Sequence, residues 1–380
     1  MHTSTGAEAK DGPEVVAGQW PALRRYRTHL DATVAWLYRS IDYGKGGSCA
    51  YFGVWGRWAP PYPETTGYII PTLLRYARVT GASEARERAI ALGNWLLGIQ
   101  DEEGYWHGGT HPPARPNPSI FNTGQILLGL CALFDETEDA AWLDAARAGA
   151  RWLAQGVSDE GEWKQGNYRD GFNPSYYTRV AWPMLEVWKR SGDESVRSAA
   201  VRVLGRILTR RCANGVIQGW GFDPERPAFT HTIAYTLRGL LESARLLDDW
   251  KTYGAPTEEA LERLYRQAEL YRGRLAGAYD EAWGKEDRFS CLTGNVQTAI
   301  CLLNYEARAE DLRLVNAACK LVDYVCSTQS LRHPHGGIRG GVAGSRPVWG
   351  RYMALRYPNW AAKFHADALM LLMERLEREA

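Results

Sequence analysis

The sequence matches itself at a lag of 57 residues, and this repeat restricts the possible folds more than any other feature. Four elements recur at that spacing: Thr66-Gly67 as Thr123-Gly124, Leu73 as Leu130, Trp95-Leu96 as Trp152-Leu153, and Gly104-x-Trp106 as Gly161-x-Trp163. Weaker copies before and after them indicate six units in all. Because repeated units bury their apolar surface by stacking on their neighbours, the sequence predicts one domain built from six similar parts.

Each unit contains two helical segments of different polarity. In the first, such as residues 85–100, apolar side chains recur every three or four residues on one face. The second, such as residues 121–137, is apolar on nearly all sides and is therefore expected to be buried. Six such pairs predict an all-α fold, an (α/α)6 toroid of six helical hairpins with an inner and an outer ring. The predicted hairpins span residues 20–78, 83–135, 138–191, 193–246, 256–306 and 308–378, within a single toroid domain at 19–380 that follows a flexible N-terminal segment at 1–18.

Charge and hydropathy exclude several classes of protein. The 45 Lys and Arg residues nearly balance the 44 Asp and Glu residues, so the chain has no overall basic field for nucleic acid. No run of 18 apolar residues is present, and we expect no membrane span. The N-terminal residues lack an export-signal pattern, and the seven cysteines are scattered singly, which together predict a cytoplasmic, reduced protein. The oligomeric state stays open.

Residues 95–106, WLLGIQDEEGYW, have the form W-L-x3-Q-x3-G-x-W. This form resembles the repeat of squalene cyclases and prenyltransferases, which are helical toroids. Class II terpene cyclases protonate their substrate with an Asp-x-Asp-Asp cluster, and no such cluster occurs in the sequence. A terpenoid-cyclase-like enzyme therefore stays an alternative without an identified acid.

Two other segments, residues 62–81 and 229–244, resemble toroid proteins encoded with bacterial polysaccharide-biosynthesis genes. The same barrel is similar to that of glucuronyl C5-epimerases, uronate lyases, unsaturated glucuronyl hydrolases and sugar 2-epimerases. The resemblance implies a carbohydrate substrate and a place in polysaccharide biosynthesis. A shared fold does not by itself establish a reaction, so the site residues have to be argued separately.

The direction of the hairpins locates the functional face. Every long loop runs from an outer helix into an inner one, so the loops gather around the N-termini of the inner helices. Helix N-termini present free N–H groups and partial positive charge, which favour anionic or hydroxyl-rich ligands. We predict a Trp-lined funnel at this face that binds a saccharide or another small molecule.

Four residues that the repeat register brings to this rim are predicted to be catalytic. His231 is the best candidate base, and Glu64 and Tyr177 are further proton donors or acceptors. Arg179 would pair with a substrate carboxylate or with Glu64, because a buried guanidinium needs an anionic partner. The competing structural roles are a helix cap for Glu64, a core histidine for His231 and ring packing for Tyr177.

Ten other residues at the rim or in the loops are predicted to contact the substrate, because they offer flat aromatic faces or hydrogen-bonding groups. They are Trp58, Trp106, His107, Asn122, Tyr176, Trp220, Asp223, Asn295, Arg339 and His365. The spacing that Trp106 shares with Trp163 also fits a purely structural role in the repeat. Trp58 and Trp220 lack that spacing and are better candidates for stacking.

Metal and cofactor sites are not predicted. His107 and His111 are separated by three residues, two of them glycines, and His333 and His335 have no Cys or carboxylate beside them to complete a tetrahedral zinc site. No phosphate-binding loop, dinucleotide motif or serine-hydrolase elbow is present in the sequence. We therefore expect neither a metal nor an organic cofactor.

The residue types at the rim favour proton abstraction from a sugar carbon. Abstraction next to a uronate carboxylate needs a base, a second proton donor and a cation to neutralise the carboxylate, and the four catalytic candidates match these roles. Glycoside hydrolysis normally needs two carboxylates, and the rim supplies only Glu64. The sequence thus predicts an epimerase or lyase acting on a uronic-acid-containing saccharide. The same fold and rim are also compatible with a glycoside hydrolase and with a non-catalytic glycan-binding toroid.

Overall fold

The computed structural model describes residues 15–378, and twelve α-helices make up most of this range. In chain order they are α1 (Val15–Gly44), α2 (Pro63–Thr80), α3 (Ser83–Gly98), α4 (Ile120–Thr137), α5 (Ala140–Gly156), α6 (Thr178–Ser191), α7 (Glu194–Leu208), α8 (Thr230–Leu247), α9 (Glu258–Leu270), α10 (Leu292–Ala309), α11 (Leu312–Thr328) and α12 (Asn359–Glu377). Residues 1–14 of the expected N-terminal segment lie outside the described residues, and α1 begins within that segment at Val15.

The even-numbered helices form a closed inner ring. Each packs on the next in the order α2, α4, α6, α8, α10 and α12, and α12 packs on α2. Their apolar side chains belong to one continuous core. The odd-numbered helices lie outside this ring with one face exposed. The architecture is an (α/α)6 toroid, which confirms the predicted fold class.

The packing of the hairpins differs from the prediction. Where a short connection follows an inner helix, that helix packs more extensively on the next outer helix than on the preceding one, as in α2 with α3 and α4 with α5. Helix α8 instead packs on the longer segment 248–257 that follows it. The first outer helix, α1, packs on the last inner helix, α12. The long loops between outer and inner helices separate them too widely for the predicted pairs to be the closest ones.

Repeated Thr-Gly pairs allow the inner helices to approach closely. A Cβ atom on Gly67 of α2 would lie 2.6 Å from the Cα atom of Ile126 on α4. At the equivalent Gly124 of α4, it would lie 2.9 Å from a side-chain carbon of Val180 on α6. Any larger residue would push neighbouring inner helices apart, which explains why glycine occupies both positions.

The repeated tryptophans join a loop to the outer helix before it. The Trp106 indole N–H donates to the backbone carbonyl of Leu96 at 2.9 Å, and Trp163 donates to Leu153 at the same distance. Both side chains are buried. The equal contacts, 57 residues apart, support the structural interpretation of this spacing.

Short β-strands connect the long loops on the face where the inner helices begin. Strands β1 (Tyr51–Gly53), β2 (Arg57–Trp58) and β8 (Arg356–Pro358) form one sheet, and β1 pairs antiparallel with β8. This pairing joins the first long loop to the last. The other strands are β3 (Ala228–Phe229), β4 (Ala278–Tyr279) and β5 (Lys285–Glu286), which form a second sheet, and β6 (Ser290–Cys291) with β7 (Ser345–Arg346).

The opposite face carries the short connections 81–82, 138–139, 192–193 and 310–311, together with the longer segment 248–257. The two faces of the toroid are therefore unequal, as the sequence predicts. Among the described residues, no helix is both long enough and apolar enough to cross a bilayer.

Candidate active site

A cavity of about 470 Å³ lies at the loop-bearing face, where the inner helices begin. Its walls come from the first turns of the inner helices and from the long loops. The lining residues are Tyr62, Glu64, Tyr68, Gly108, Gly109, Asn117, Pro118, Ser119, Phe121, Asn122, Gly166, Asn167, Tyr168, Tyr176, Phe222, His231, Tyr235, Tyr352, Met353 and Trp360. The predicted face and funnel are thus present, but tyrosines dominate the wall, and Trp360 is the single tryptophan among these described lining residues.

Glu64 is the one carboxylic acid among the described lining residues. It lies in the first turn of α2, is 7% exposed, and shares a hydrogen bond with the Tyr62 hydroxyl. Burial raises the pKa of Glu64 to about 7, because the ionised form loses its water, and the Tyr62 hydrogen bond and the charge of Arg179 only partly oppose this effect. The protonated and the ionised carboxyl group are therefore both accessible near neutral pH, so Glu64 can donate or accept a proton.

His231 lies in the first turn of α8 and is 4% exposed. Its ring packs 4.2 Å from the Tyr235 ring, and its Nδ1 atom lies 2.5 Å from the side-chain amide of Gln297. Burial and, secondarily, the positive charge of Arg179 lower the pKa of His231 to about 3, so the imidazole is neutral. The Gln297 oxygen has no partner. With the amide turned so that this oxygen accepts from Nδ1–H, the Nε2 lone pair of His231 is available as a base.

Glu64 and His231 come from opposite sides of the ring. Helix α8 is three positions from α2 in either direction around the six inner helices. One turn deeper, four residues after each of them, Tyr68 and Tyr235 share a hydrogen bond between their hydroxyl groups. Two tyrosine side chains thus meet across the lumen directly below, and the acid and the imidazole flank the space above.

Aromatic rings surround this pair. Tyr176 packs edge-on against Phe121 at 5.3 Å, and the Trp360 indole donates to the Tyr352 hydroxyl at 2.8 Å. Tyr168 lines the cavity and is 79% exposed, which places it at the mouth. The walls offer flat apolar faces with hydroxyl groups at their edges, a combination that suits sugar rings.

Of the fourteen predicted site residues, four line the cavity: Glu64, His231, Asn122 and Tyr176. The Asn122 side chain donates from Nδ2 to the backbone carbonyl of His107 at 2.8 Å. It therefore anchors the loop between α3 and α4 while it forms part of the wall.

Two of the four predicted catalytic residues, Tyr177 and Arg179, lie behind or below the cavity and are not among its lining residues. Tyr177 is 1% exposed and packs edge-on against Trp163 at 5.5 Å, in agreement with the ring-packing interpretation. Arg179 is fully buried and donates to the Gln125 side chain at 2.8 Å. It acts on Glu64 through its charge but makes no ion pair with it, and it does not line this cavity.

The remaining predicted substrate contacts are not among the residues that line the cavity. Trp58 packs on Trp36 at 5.2 Å, and Trp220 packs on Trp283 at 5.6 Å. Trp106 and Asn295 donate hydrogen bonds to the backbone carbonyls of Leu96 and Gly273, and Asp223 forms an ion pair with Arg169. His107 packs beside Tyr105, and His365 lies in the core next to Cys326. Arg339 is exposed on its loop.

Sequence reasoning found Tyr176 but missed the other five tyrosines that line the cavity. Tyr68 and Tyr235 follow Glu64 and His231 by four residues, and this helical spacing was a usable signal for a shared face. Tyr62, Tyr352 and Met353 come from irregular loops, where no periodic signal reports the direction of a side chain.

One group of described residues has the composition of a metal site, and it lies outside the cavity. Ligand atoms of His29, Cys326 and His365 lie within 4.8 Å of one another between α1, α11 and α12. The two loop pairs of histidines considered from the sequence do not form such a group within the described residues.

No protein-family model and no curated protein matches the chain. Solved structures do match. A heparin-specific unsaturated glucuronyl hydrolase has a TM-score of 0.73 at 14% identity, with 93% of this chain and 98% of that chain covered. A sugar epimerase from a ruminal bacterium has a TM-score of 0.75 at 13% identity, covering 93% and 99%. The cellobiose 2-epimerase of Spirochaeta thermophila has a TM-score of 0.71 at 15% identity, covering 97% and 100%.

These comparisons support one part of the resemblance proposed from the sequence. The likeness to the barrel of glucuronyl hydrolases and sugar epimerases is confirmed, whereas a likeness to squalene cyclases and prenyltransferases is not shown. At 13 to 15% identity the shared property is the fold, the (α/α)6 toroid.

Proposed function

We propose that this protein is a carbohydrate-processing enzyme that moves a proton at a sugar carbon next to a carbonyl group, with Glu64 and His231 as the acid-base pair. The observation that carries the proposal is the placement of these two residues. Both are buried, both line the cavity, and they come from helices on opposite sides of the inner ring. Sugar epimerases and a glucuronyl hydrolase with the same fold add support.

Opposed groups suit inversion at carbon. One group removes the proton from one face of the sugar, and the other returns a proton to the opposite face, which gives the epimer. If a leaving group on the next carbon departs before the proton returns, the product is unsaturated, as in a lyase. Negative charge develops on the carbonyl oxygen in both cases. Burial raises the pKa of the Tyr62, Tyr68 and Tyr235 hydroxyls, so these groups stay protonated and can donate to that oxygen.

The charge of the wall favours a neutral sugar over a uronate. Proton abstraction next to a carboxylate needs a cation to neutralise it, and the described lining residues include no lysine or arginine. Arg179, predicted for that role, lies below the cavity. Abstraction next to the aldehyde or ketone of an open-chain reducing sugar needs only hydrogen-bond donors, which the tyrosines supply. We therefore propose a reducing saccharide as the substrate and epimerisation as the reaction.

Hydrolysis receives less support from the same cavity. Glycoside hydrolysis normally uses two carboxyl groups, one as acid and one as base or nucleophile. Glu64 has the raised pKa expected of the acid, but the described lining residues supply no second carboxylate.

Solvent-proton exchange tests the proposal. The protein is incubated in D2O with neutral reducing mono- and disaccharides, and NMR follows deuterium entry at C2 and the appearance of the epimer. Both signals are expected for at least one sugar and are expected to be lost in Glu64→Gln and in His231→Asn. Glu102→Gln, the same substitution at an exposed loop position, is expected to retain both.

Other outcomes would overturn the proposal in informative ways. Exchange limited to uronates would restore the uronate substrate, and release of a new reducing end without exchange would indicate a hydrolase. Saturable sugar binding that survives both variants without turnover would indicate a glycan-binding toroid. Binding of isoprenoids alone would indicate terpenoid chemistry.

A further inference from the structure

A second cavity, of about 340 Å³, opens on the opposite face of the toroid, where the inner helices end. Its wall is highly charged. The cationic lining residues are Arg75, Arg78, Arg179, Arg190, Arg238 and Lys363, and the acidic ones are Asp135, Glu186, Glu242 and Asp367. Two of the six cations, Arg75 and Arg78, pair with carboxylates outside this wall, Glu374 at 2.6 Å and Glu136 at 3.4 Å.

The four carboxylates already have partners. Asp367 pairs with Lys363 at 2.5 Å, Asp135 and Glu186 both pair with Arg190, at 2.5 and 2.7 Å, and Glu242 accepts from Arg245 at 3.1 Å. None of these contacts involves Arg179. The negative groups of the wall consequently leave that guanidinium without an anionic partner.

Arg179 is fully buried and incompletely hydrogen-bonded. Its Nη2 atom donates to the Gln125 side chain at 2.8 Å, whereas Nε and Nη1 have no partner. The guanidinium lies 4.7 Å from the Trp182 ring and 4.8 Å from the Tyr235 ring. Aromatic rings interact with the flat faces of a guanidinium. They are only weak hydrogen-bond acceptors, and buried N–H groups require a stronger one.

Arg238 adds a second incomplete guanidinium. Its side chain is 14% exposed, its Nε and Nη1 atoms have no hydrogen-bond partner, and its nearest carboxylate, Glu242, is 3.6 Å away. The group lies 5.2 Å from the same Trp182 ring that Arg179 contacts. Two guanidinium groups with free N–H donors are thus held against one indole at a cavity.

We propose that this second cavity binds a small molecule through an oxyanion, a phosphate or a carboxylate, which accepts hydrogen bonds from Arg179 and Arg238. Oxyanions match the planar array of guanidinium donors, and one bound here would supply the anionic partner that Arg179 lacks. The site is separate from the catalytic cavity, and the proposal does not depend on the proposed function. The layer between the two cavities contains Tyr235 and Arg179, which are in contact.

Isothermal titration calorimetry on the intact protein tests this site without an activity assay. The probes are inorganic phosphate, glucose 6-phosphate and acetate, at low and at high NaCl. Saturable binding of at least one probe is expected, and it is expected to weaken as NaCl screens the charges. Preference for phosphate or acetate identifies the chemical group, and preference for glucose 6-phosphate over inorganic phosphate identifies a phosphorylated metabolite.

Three variants locate the binding. Arg238→Gln and Arg179→Met are each expected to raise the Kd tenfold or more, since each removes charge-assisted hydrogen bonds. Because Arg179 is buried, the partly exposed Arg238 keeps the test decisive if Arg179→Met does not fold. Arg78→Gln is the matched control, because Arg78 lines the same cavity with a 61% exposed side chain paired to Glu136, and the Kd is expected to stay within twofold.

Absence of saturable binding for all three probes would overturn the proposal, as would an unchanged Kd in Arg238→Gln. A loss in Arg78→Gln equal to the loss in Arg238→Gln would indicate nonspecific attraction to the charged face. Glu64→Gln is expected to bind the probes normally, so failure of this site and failure of the proposed function are distinguishable.

Discussion

Replacement of Glu64 by glutamine tests the electrostatics of the candidate site through protein stability. In the folded protein burial raises the pKa of Glu64 to about 7, compared with 4.5 for a solvated glutamic acid. Below pH 4.5 the carboxyl group is protonated in both the folded and the unfolded chain. Between these two values the unfolded chain ionises while the folded protein keeps the proton, so rising pH stabilises the unfolded state.

The size of the effect follows from the separation of the two pKa values. At 1.36 kcal/mol per pKa unit, the wild-type protein is expected to lose about 3 kcal/mol of unfolding free energy between roughly pH 4 and pH 8 through this group. Glutamine preserves the shape and does not ionise. The unfolding free energy of Glu64→Gln, relative to wild type, is therefore expected to increase by about 3 kcal/mol over the same range.

Urea denaturation of both proteins across this pH range measures the difference, and Asp193→Asn provides a control of opposite sign. Hydrogen bonds from Ser195 and from Arg151 lower the pKa of Asp193 to about 2. Its stabilising effect is lost only as the pH falls below 3.8 toward 2, so the gap between Asp193→Asn and wild type is expected to stay constant from pH 5 to pH 8. A gap between Glu64→Gln and wild type that is equally constant would refute the perturbed carboxyl group and with it half of the acid-base pair.

Three further predictions concern catalysis and the repeat. His231→Asn is expected to lower kcat for sugar epimerisation by roughly 100- to 10,000-fold with little change in KM, and steady-state kinetics in which KM alone changes would contradict a proton-transfer role. Trp106→Phe and Trp163→Phe each remove one buried N–H···O=C hydrogen bond. Urea denaturation is therefore expected to show similar decreases in unfolding free energy, of about 1 to 2 kcal/mol. Clearly unequal decreases would contradict the equivalence of the two tryptophans. Gly104→Ala is expected to lower the melting temperature more than Gly56→Ala. Both glycines have positive φ, 98° and 86°, but only at Gly104 would the new Cβ meet a backbone carbonyl, at 2.7 Å. Equal decreases in melting temperature would show that backbone strain, and not this contact, determines the loss of stability.

The fold was predictable because the contacts that define it repeat in the sequence. Gly67 and Gly124 mark the close approach of inner helices, and Trp106 and Trp163 mark the junction of loop and outer helix. Each contact needs a particular residue type, so its signal survives from one unit to the next. The pairing of inner helices with the following outer helices was missed, since helix order along the chain is compatible with either pairing.

The sequence indicates how far along each inner helix a residue lies, but not the direction in which its side chain points. First-turn positions on inner helices lie at the loop-bearing end, and Glu64 and His231 line the cavity there. Which way a side chain points depends on rotation about the helix axis. A short 3-10 turn at Ser175–Tyr177 precedes α6, and it directs Tyr176 into the cavity while Tyr177 packs behind the wall. No periodic pattern in the sequence reports that rotation.

The closure of the ring by α1 and α12 also determines when the protein can finish folding. Contacts between α1 and the loop that leads into α12 join residues about 300 positions apart, as when Trp36 donates to the Gly337 carbonyl and Arg39 donates to the Gly336 carbonyl. A ribosome adds roughly 5 to 20 residues per second. Helix α1 is therefore synthesised on the order of 15 to 60 seconds before α12, and during that time its apolar face is exposed unless another protein binds it. We expect chaperone dependence of this chain to be governed by its first helix.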